Sequence, residues 1–368
     1  MPSNPWSGFR KSPKLHPKLH KVKKNSLRIL SMRHVYHHSS QFSLDSGESL
    51  PEITIAYDTF GSPNADRSNI IWVCHALTAS SDVADWWPHT VESGKFLDPE
   101  KYFIVCANIL GSCYGSTGPL SINPATGEPY YGDFPSLTMS DIVRAHSLLA
   151  DHLCIDRIHA LIGSSVGGFQ ALEWICGQPD RFDRLVLIAT DAYASPWGIA
   201  INETQRMALR SDASFGRRAP EAGRAGLATA RAIGLLTYRG GEGYNLTQQD
   251  LTPPDSPENR RPCTYQRYQG EKLCRRFNAY SYMNILNAFD THDVGRHRGG
   301  LKAALGRIHI PTIVIGISTD MIFPPADMRR LAEMIPNASY VEIVSPFGHD
   351  GFLTEHQQLN HLLIPFLS

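Results

Sequence analysis

The feature that most constrains the fold is the segment at residues 158–172, IHALIGSSVGGFQAL. An apolar run leads directly into a Gly-x-Ser-x-Gly sequence and a helical pattern follows it, which together predict a serine on a tight turn between a strand and a helix. Ser165 lies between Gly163 and Gly167, where larger side chains would collide with the neighbouring strand and helix. The adjacent Ser164 has no such frame. The segment therefore predicts Ser165 as a nucleophile presented at the end of a buried strand.

Short apolar or β-branched runs alternate with helical patterns from residue 52 onward. This alternation is typical of a mostly parallel sheet with helices on both faces, so we predict an α/β fold. The candidate strands are residues 53–57, 70–74, 102–107, 158–162, 185–189, 312–317 and 340–344.

The strand pattern stops between residues 195 and 300. Helical patterns at 201–209, 223–236 and 265–289 surround a polar, Pro-rich stretch at 248–262. We interpret 195–300 as a helical lid inserted between a first core part, residues 34–194, and a second core part, residues 301–368.

A serine hydroxyl needs a general base, and the base needs a carboxylate that holds its tautomer. In this architecture they follow the serine in the order acid, then histidine. Asp320 comes shortly after the strand at 312–317, and His349 comes shortly after the strand at 340–344. The order and the positions after strands predict a Ser165–His349–Asp320 triad.

Acyl transfer also needs hydrogen-bond donors for the tetrahedral oxyanion, each contributing about 3 kcal/mol. The backbone N–H of Val166, directly after the nucleophile, is one candidate. The second should come from the loop after the strand at 70–74, and we assign it to the N–H of Leu77.

The charges of the 35 basic and 35 acidic residues cancel over the whole chain, but the two kinds of residue are unevenly distributed between the N-terminal tail and the rest. Nine Lys or Arg and no acid lie in residues 1–33, so the remainder carries 26 basic and 35 acidic groups, a net charge of −9. An acidic body argues against nucleic-acid binding. We expect the Pro-rich, cationic tail at 1–33 to be disordered and dispensable. A transit peptide, an anion-binding arm or an upstream start before Met32 are the alternatives.

The seven cysteines are widely spaced, without a CxxC pair or a Cys/His cluster. Disulfides and structural zinc are therefore not expected, which favours a reducing compartment and a cytoplasmic location, with no metal. No apolar run approaches the roughly 18 residues of a membrane span, so we expect no membrane association.

Several separated blocks carry a family resemblance. The blocks are HALT at 75–78, NILGSCYGSTGP at 108–119, SINPATG at 121–127, ALEW at 171–174, LTYR at 236–239, YQGEKL at 268–273, DVGRHRGG at 293–300 and PFGHDGF at 346–352. By these blocks the chain resembles, from about residue 34 to the end, the homoserine O-acetyltransferases, which are acyltransferases of the α/β-hydrolase fold that act in methionine biosynthesis.

The resemblance implies a two-step reaction in which acetyl-CoA acetylates Ser165 and L-homoserine then takes the acetyl group. It also implies that Arg231, Tyr238 and Asp350 bind the amino-acid end of homoserine, with a guanidinium for its carboxylate and a carboxylate for its ammonium. CoA is then a substrate, no resident cofactor is required, and the family implies a homodimer.

Three residues depart from the family pattern: Ser164, Val166 and Ala79 stand where the family usually has Gly, Met and Gly. We expect them to line the acyl pocket and to bear on the acyl donor. The alternatives are an L-serine O-acetyltransferase or a homoserine O-succinyltransferase with the same triad, and, in another class, a serine esterase. An inactive binding module is disfavoured because no triad residue is missing.

Overall fold

The computed structural model describes residues 31–252 and 254–368. Residues 1–30 of the predicted tail lie outside this range. The strands of the described residues are β1 (Met32–His38), β2 (Phe42–Ser43), β3 (Ser49–Leu50), β4 (Ile53–Phe60), β5 (Ile70–Cys74), β6 (Phe103–Ala107), β7 (Ala160–Ser164), β8 (Leu185–Ile188), β9 (Thr312–Ile317) and β10 (Ala338–Ile343).

Eight of these strands form one sheet in the order β1-β4-β6-β5-β7-β8-β9-β10. Strand β4 is antiparallel to both of its neighbours, and the six strands from β6 to β10 are parallel to one another. Strands β2 and β3 form a separate antiparallel pair. The predicted α/β fold with a mostly parallel sheet is therefore confirmed, and because parallel strands end at one edge, the loops that follow them meet there.

Strand β1 was not predicted. It pairs residue by residue with β4 at the edge of the sheet, so Met32 and Arg33, which we assigned to the disordered tail, belong to the first strand. Its side chains are exposed or half-buried throughout. Because ladder hydrogen bonds rather than apolar burial hold this edge strand, its polar sequence has no clear hydrophobic alternation.

Both faces of the sheet carry a core, as strand β5 illustrates. Ile70, Trp72 and Cys74 belong to one hydrophobic cluster, while Ile71 and Val73 belong to the other. This is the two-residue period of a strand buried on both faces.

Helices cover both faces of the sheet. Helices α2, α3 and α10 and the lid pack on the Trp72 face, and α1 and α12 pack on the opposite face. The α-helices are α1 (Val83–Trp86), α2 (Met139–His152), α3 (Val166–Gly177), α4 (Pro196–Arg210), α5 (Arg224–Tyr238), α6 (Gly241–Gln248), α7 (Arg261–Cys274), α8 (Ala279–Asp290), α9 (Leu301–Leu305), α10 (Pro325–Glu333), α11 (Gly351–Thr354) and α12 (His356–Leu367). Short 3-10 turns occur at Tyr131–Asp133, Pro179–Arg181, Pro257–Asn259 and Gly348–Asp350.

The inserted segment is helical, with two differences from the prediction. The single helix expected at 265–289 is two helices, α7 and α8, because Asn278 caps a new helix by accepting a hydrogen bond from the Ser281 N–H at 2.8 Å. Helix α6 was also missed. None of the helices in the described part of the chain is long and apolar enough to cross a membrane.

The two ends of the insertion are neighbours. The Ala194 N–H donates to the His292 carbonyl at 2.8 Å, and the Val294 N–H donates to the Ala192 carbonyl at 3.0 Å. These bonds form a neck through which the chain leaves and re-enters the sheet domain.

Trp72→Ala should lower the free energy of unfolding by about 3–5 kcal/mol, because the buried indole packs edge-on against Trp174 with 5.0 Å between ring centroids. Leu251→Ala, at a side chain that is 96% exposed, should change it by less than about 0.5 kcal/mol. Urea unfolding followed by circular dichroism measures both. Equal losses would contradict the assignment of Trp72 to the core.

Candidate active site

Ser165 occupies the turn between β7 and α3 in a strained backbone conformation, with φ 56° and ψ −129°. Close backbone packing explains the two glycines around it. A Cβ atom on Gly163 would lie 2.3 Å from the Gly167 carbonyl oxygen, and one on Gly167 would lie 2.0 Å from the carbonyl oxygen of Cys74. Both distances are far below van der Waals contact, so the glycine frame predicted around Ser165 is a steric requirement.

The structure brings Ser165, His349 and Asp320 into one hydrogen-bonded chain. His349 Nδ1 lies 2.7 Å from Asp320 Oδ2, and His349 Nε2 lies 2.8 Å from Ser165 Oγ. Because Nδ1 carries the proton that it donates to the carboxylate, Nε2 is free to accept the proton of the serine. All three side chains are buried.

Backbone groups hold the carboxylate in place. Asp320 Oδ1 accepts hydrogen bonds from the N–H groups of Ile322 at 2.8 Å and Phe323 at 3.1 Å, which leaves Oδ2 for His349. This arrangement fixes the direction in which the acid faces the imidazole.

Opposing effects set the pKa of His349. Burial lowers it, but the charge of Asp320, the hydrogen bond to that carboxylate and the charge of Asp350 raise it, and the net result is a pKa above the ordinary value. The imidazole is thus suited to receive a proton.

The loop that carries His349 is fixed by the sheet edge and by the lid. Thr319 Oγ1 accepts from the Gly348 N–H at 2.9 Å and donates to the Ser345 carbonyl at 2.7 Å. On the lid side, a Cβ on Gly240 would lie 2.5 Å from the Pro346 carbonyl oxygen. The end of the lid helix α5 therefore rests directly on the histidine loop.

A cavity of about 560 Å³ opens above Ser165, and both candidate oxyanion donors line it. Among the described residues, neither the Val166 N–H nor the Leu77 N–H donates a hydrogen bond. Val166 is the first residue of α3, where the amides of a helix have no intrahelical acceptor and the helix dipole favours negative charge. Two unused donors beside a nucleophile are suited to an oxyanion.

The three residues expected to bind the acceptor line the same cavity. The Arg231 guanidinium carbon lies 5.3 Å from the centroid of the Tyr238 ring, which is 6.1 Å from the His349 ring. Asp350 directly follows His349. The cavity thus has a cation and an anion near the nucleophile.

Asp350 has a partner that the sequence analysis did not single out. Arg239 Nε donates to Asp350 Oδ2 at 2.9 Å. Burial raises the pKa of Asp350, against the charges of Arg239, Arg231 and His349, which lower it. Arg239 ends the LTYR block, so its position in that block was the available signal.

The residues that depart from the family pattern have different surroundings. Val166 and Ala79 line the cavity, whereas Ser164 is absent from its lining, so the expectation that Ser164 lines the acyl pocket is wrong. Alternate side chains of a strand face opposite ways, which turns Ser164 away from Ser165. Its hydroxyl is buried without a hydrogen-bond partner among the described residues.

Solvent-exposed residues mark the opening of the cavity. Lys272 and Arg276 from the lid and Asp85 from the sheet domain are exposed there, next to the half-buried Tyr114. Arg276 Nη1 donates to the Thr78 carbonyl and to the Tyr114 hydroxyl, which connects the lid to the loop that carries Leu77.

Comparisons with known proteins agree with this architecture. A family model described as the alpha/beta hydrolase fold matches residues 69–356. Homoserine O-acetyltransferase of Cyclobacterium marinum is 44% identical over 340 residues, which are 92% of this chain and 96% of the relative.

Two solved structures share the fold. A crystal structure of homoserine O-acetyltransferase from Bacillus anthracis has a TM-score of 0.87 at 23% identity, covering 92% of this chain and 98% of that one. An acetylester hydrolase from Corynebacterium glutamicum has a TM-score of 0.80 at 25% identity, covering 92% of this chain and 96% of that one. By the matched family model and the identity along almost its whole length, the chain belongs to the homoserine O-acetyltransferase family of the α/β-hydrolase fold.

Proposed function

We propose that this protein is a homoserine O-acetyltransferase that moves an acetyl group from acetyl-CoA, through an acetylated Ser165, to the side-chain hydroxyl of L-homoserine in methionine biosynthesis. The observation that carries the proposal is the Ser165–His349–Asp320 chain, which opens into a cavity that also contains Arg231 and Asp350. The names of its relatives support the same activity.

In the first step, Ser165 Oγ attacks the thioester carbonyl while His349 Nε2 takes its proton. The N–H groups of Val166 and Leu77 stabilise the oxyanion of the tetrahedral intermediate. The carbon–sulfur bond then breaks, His349 returns the proton to the departing CoA thiolate, and the acetyl group remains on the serine.

In the second step, the homoserine hydroxyl attacks the acetyl carbonyl and gives its proton to His349. The bond to Ser165 breaks, and the serine oxygen takes that proton back. Arg231 would hold the carboxylate of the zwitterion, and Asp350 would hold its ammonium, with Tyr238 beneath the guanidinium. Asp350 is already paired with Arg239, so the ammonium would share this carboxylate.

The charges at the cavity opening support an anionic acyl donor such as acetyl-CoA. Outside residues 1–33 the chain carries a net charge of −9, yet two exposed cations, Lys272 and Arg276, line the opening against one acid, Asp85. Such a local excess favours the phosphate groups of CoA.

Hydrolysis by the same triad is the second candidate, since a structural neighbour is an acetylester hydrolase. A transferase has to disfavour water as the acceptor of the acetyl group, and a charged acceptor site supplied by a lid serves this purpose. Arg231 on the lid helix α5 therefore favours transfer. Serine as the acceptor and succinyl-CoA as the donor remain the alternatives within the family, and substrate competition separates them.

We also propose a reducing, cytoplasmic location, which is supported by the free cysteines of the described residues, three of them buried. The partners we propose are the two small-molecule substrates and a second copy of the chain in a homodimer, with no metal, resident cofactor, nucleic acid or membrane needed.

Purified protein should release CoA from acetyl-CoA in a homoserine-dependent way, and a thiol reagent measures the free CoA. Release should be slower when L-serine or water alone replaces homoserine as the acceptor, and slower when succinyl-CoA replaces acetyl-CoA as the donor. Ser165→Ala should abolish both turnover and the acetyl-enzyme seen by intact-protein mass spectrometry. Ser164→Ala, at the neighbouring residue, is the matched control, and this variant should still become acetylated at Ser165. CoA release that depends on added L-serine but not on L-homoserine would overturn the acceptor assignment. CoA release that needs no added acceptor would favour the hydrolase.

Arg231→Ala should raise the KM for homoserine about 10- to 150-fold, since a hydrogen bond to a charged group is worth about 1.5–3 kcal/mol. The rate of Ser165 acetylation should not change. Arg218→Ala removes another lid arginine, one that pairs with Asp133 at 2.5 Å, and should leave both quantities unchanged. Unaltered homoserine kinetics in Arg231→Ala would reject its carboxylate role.

The acetylation rate should fall as the pH drops through the pKa of His349, because the protonated imidazole cannot accept the serine proton. As Asp320 raises that pKa, the fall should be centred above the ordinary value of about 6.5. Asp320→Asn should move the midpoint to lower pH and reduce the plateau by roughly 10³- to 10⁴-fold. Pre-steady-state CoA release as a function of pH measures both, and a midpoint unmoved by Asp320→Asn would contradict the coupling.

A further inference from the structure

We propose that Gln170 is a positioning residue that sets the distance between the two oxyanion donors, Val166 N–H and Leu77 N–H. The inference rests on the proposed acyl-transfer function. It assigns a role to a buried polar side chain that takes no part in the proton transfers at Ser165 and His349.

Gln170 lies one helical turn after Val166 on α3 and is fully buried. Its amide Nε2 donates to the carbonyl of His75 at 3.1 Å and to the carbonyl of Val166 at 3.2 Å. The side-chain amide of Gln170 therefore links two backbone carbonyls. One belongs to His75, two residues before Leu77, and the other belongs to Val166, the residue that supplies the other donor. The two halves of the oxyanion site come from distant parts of the chain, and this amide bridges them.

A second buried residue fixes the orientation of that amide. His146 Nε2 lies 3.0 Å from Gln170 Oε1, so the imidazole donates and the amide oxygen accepts. Burial lowers the pKa of His146 to about 4, which keeps the ring neutral. With its oxygen occupied by His146, Gln170 presents its N–H groups toward His75 and Val166.

The far end of the Leu77 loop is held separately. The Ser81 N–H donates to Asn108 Oδ1 at 2.8 Å, and Asn108 Nδ2 donates to Ser81 Oγ at 2.7 Å. The Ser81 hydroxyl in turn donates to Asp58. His75 Nε2 also accepts from the Ile109 N–H at 3.2 Å, and Arg276 holds the Thr78 carbonyl, so loss of the Gln170 bond should displace Leu77 rather than release the whole loop.

Such a movement weakens catalysis without unfolding the site. An oxyanion donor acts only when it lies about 3 Å from the oxygen of the tetrahedral intermediate, and removing one donor outright costs about 10²- to 10³-fold in kcat. Displacement of a donor that is still present should cost less, about 10- to 100-fold. Homoserine binding depends on Arg231 and Asp350 and should not change.

Gln170→Met tests the proposal, because methionine has a similar length but cannot donate a hydrogen bond. We expect kcat to fall about 10- to 100-fold while the KM for homoserine stays within about twofold. Gln178→Met is the matched control. Gln178 directly follows the same helix and is hydrogen-bonded to Trp174 and Ser147, away from the cavity. The Gln178→Met variant should therefore have the activity of the unaltered protein.

A spectroscopic readout separates positioning from a general structural role. The enzyme is acetylated with 4-nitrophenyl acetate carrying carbon-13 at the carbonyl, and the ester stretch is recorded by isotope-edited infrared difference spectroscopy. Donors aimed at the carbonyl oxygen polarise the bond and lower its frequency. We expect Gln170→Met to raise that frequency toward the value of a free ester, and Gln178→Met to leave it unchanged.

His146→Phe is a second variant, for use if Gln170→Met does not fold. It removes the group that orients Gln170 and should shift kcat and the carbonyl frequency in the same direction. An unchanged kcat, or a lower kcat with an unchanged carbonyl frequency, would overturn the proposal. Because 4-nitrophenyl acetate acylates an activated serine whatever its natural donor, this result is independent of whether acetyl-CoA and homoserine are the substrates.

Discussion

The site depends on the close approach of helix α3 to the end of strand β5. Gly167 lies against the Cys74 carbonyl so tightly that any side chain there would overlap it. This contact lets Ser165 occupy its strained turn with its hydroxyl facing the cavity, and it brings the first amide of α3 beside the loop that follows β5. A larger residue at this position would push Ser165 away from the loop that carries Leu77, the residue we propose as the second oxyanion donor.

From that contact outward, the site is assembled from loops at one edge of the sheet. The loops after β5, β7, β9 and β10 supply Leu77, Ser165, Asp320 and His349, and the lid covers them from above. Parallel strands make this possible because their carboxyl ends coincide. The lid in turn rests on the histidine loop through Gly240 and on the Leu77 loop through Arg276. The lid residues Arg231 and Tyr238, which we propose bind the acceptor, are therefore held against the triad loops at two places.

Sequence reasoning identified the parts of this arrangement that have local signals. The glycine frame around Ser165 and the loops carrying Asp320 and His349 follow apolar strands, so their meeting at one edge could be predicted. Strand β1 could not, because backbone pairing with β4 rather than apolar burial defines it. The break between α7 and α8 had a signal in the capping residue Asn278. Arg239 had no signal beyond its place in the LTYR block, and Gln170 had none, since each depends on a partner more than 90 residues away along the chain.

The hydrogen-bonded neck at residues 192–194 and 292–294 has a consequence for how such a protein can diversify. The insertion leaves and re-enters the sheet domain at the same place. For the sheet, its roughly one hundred residues are therefore equivalent to a short turn between two elements. Lid segments of other lengths can be accommodated there without changing strand order or moving the nucleophile. The lid's share of the cavity lining, which includes Arg231 and Tyr238, and the Ser165–His349–Asp320 chain are thus encoded in separable stretches of the gene, so one can change while the other is retained.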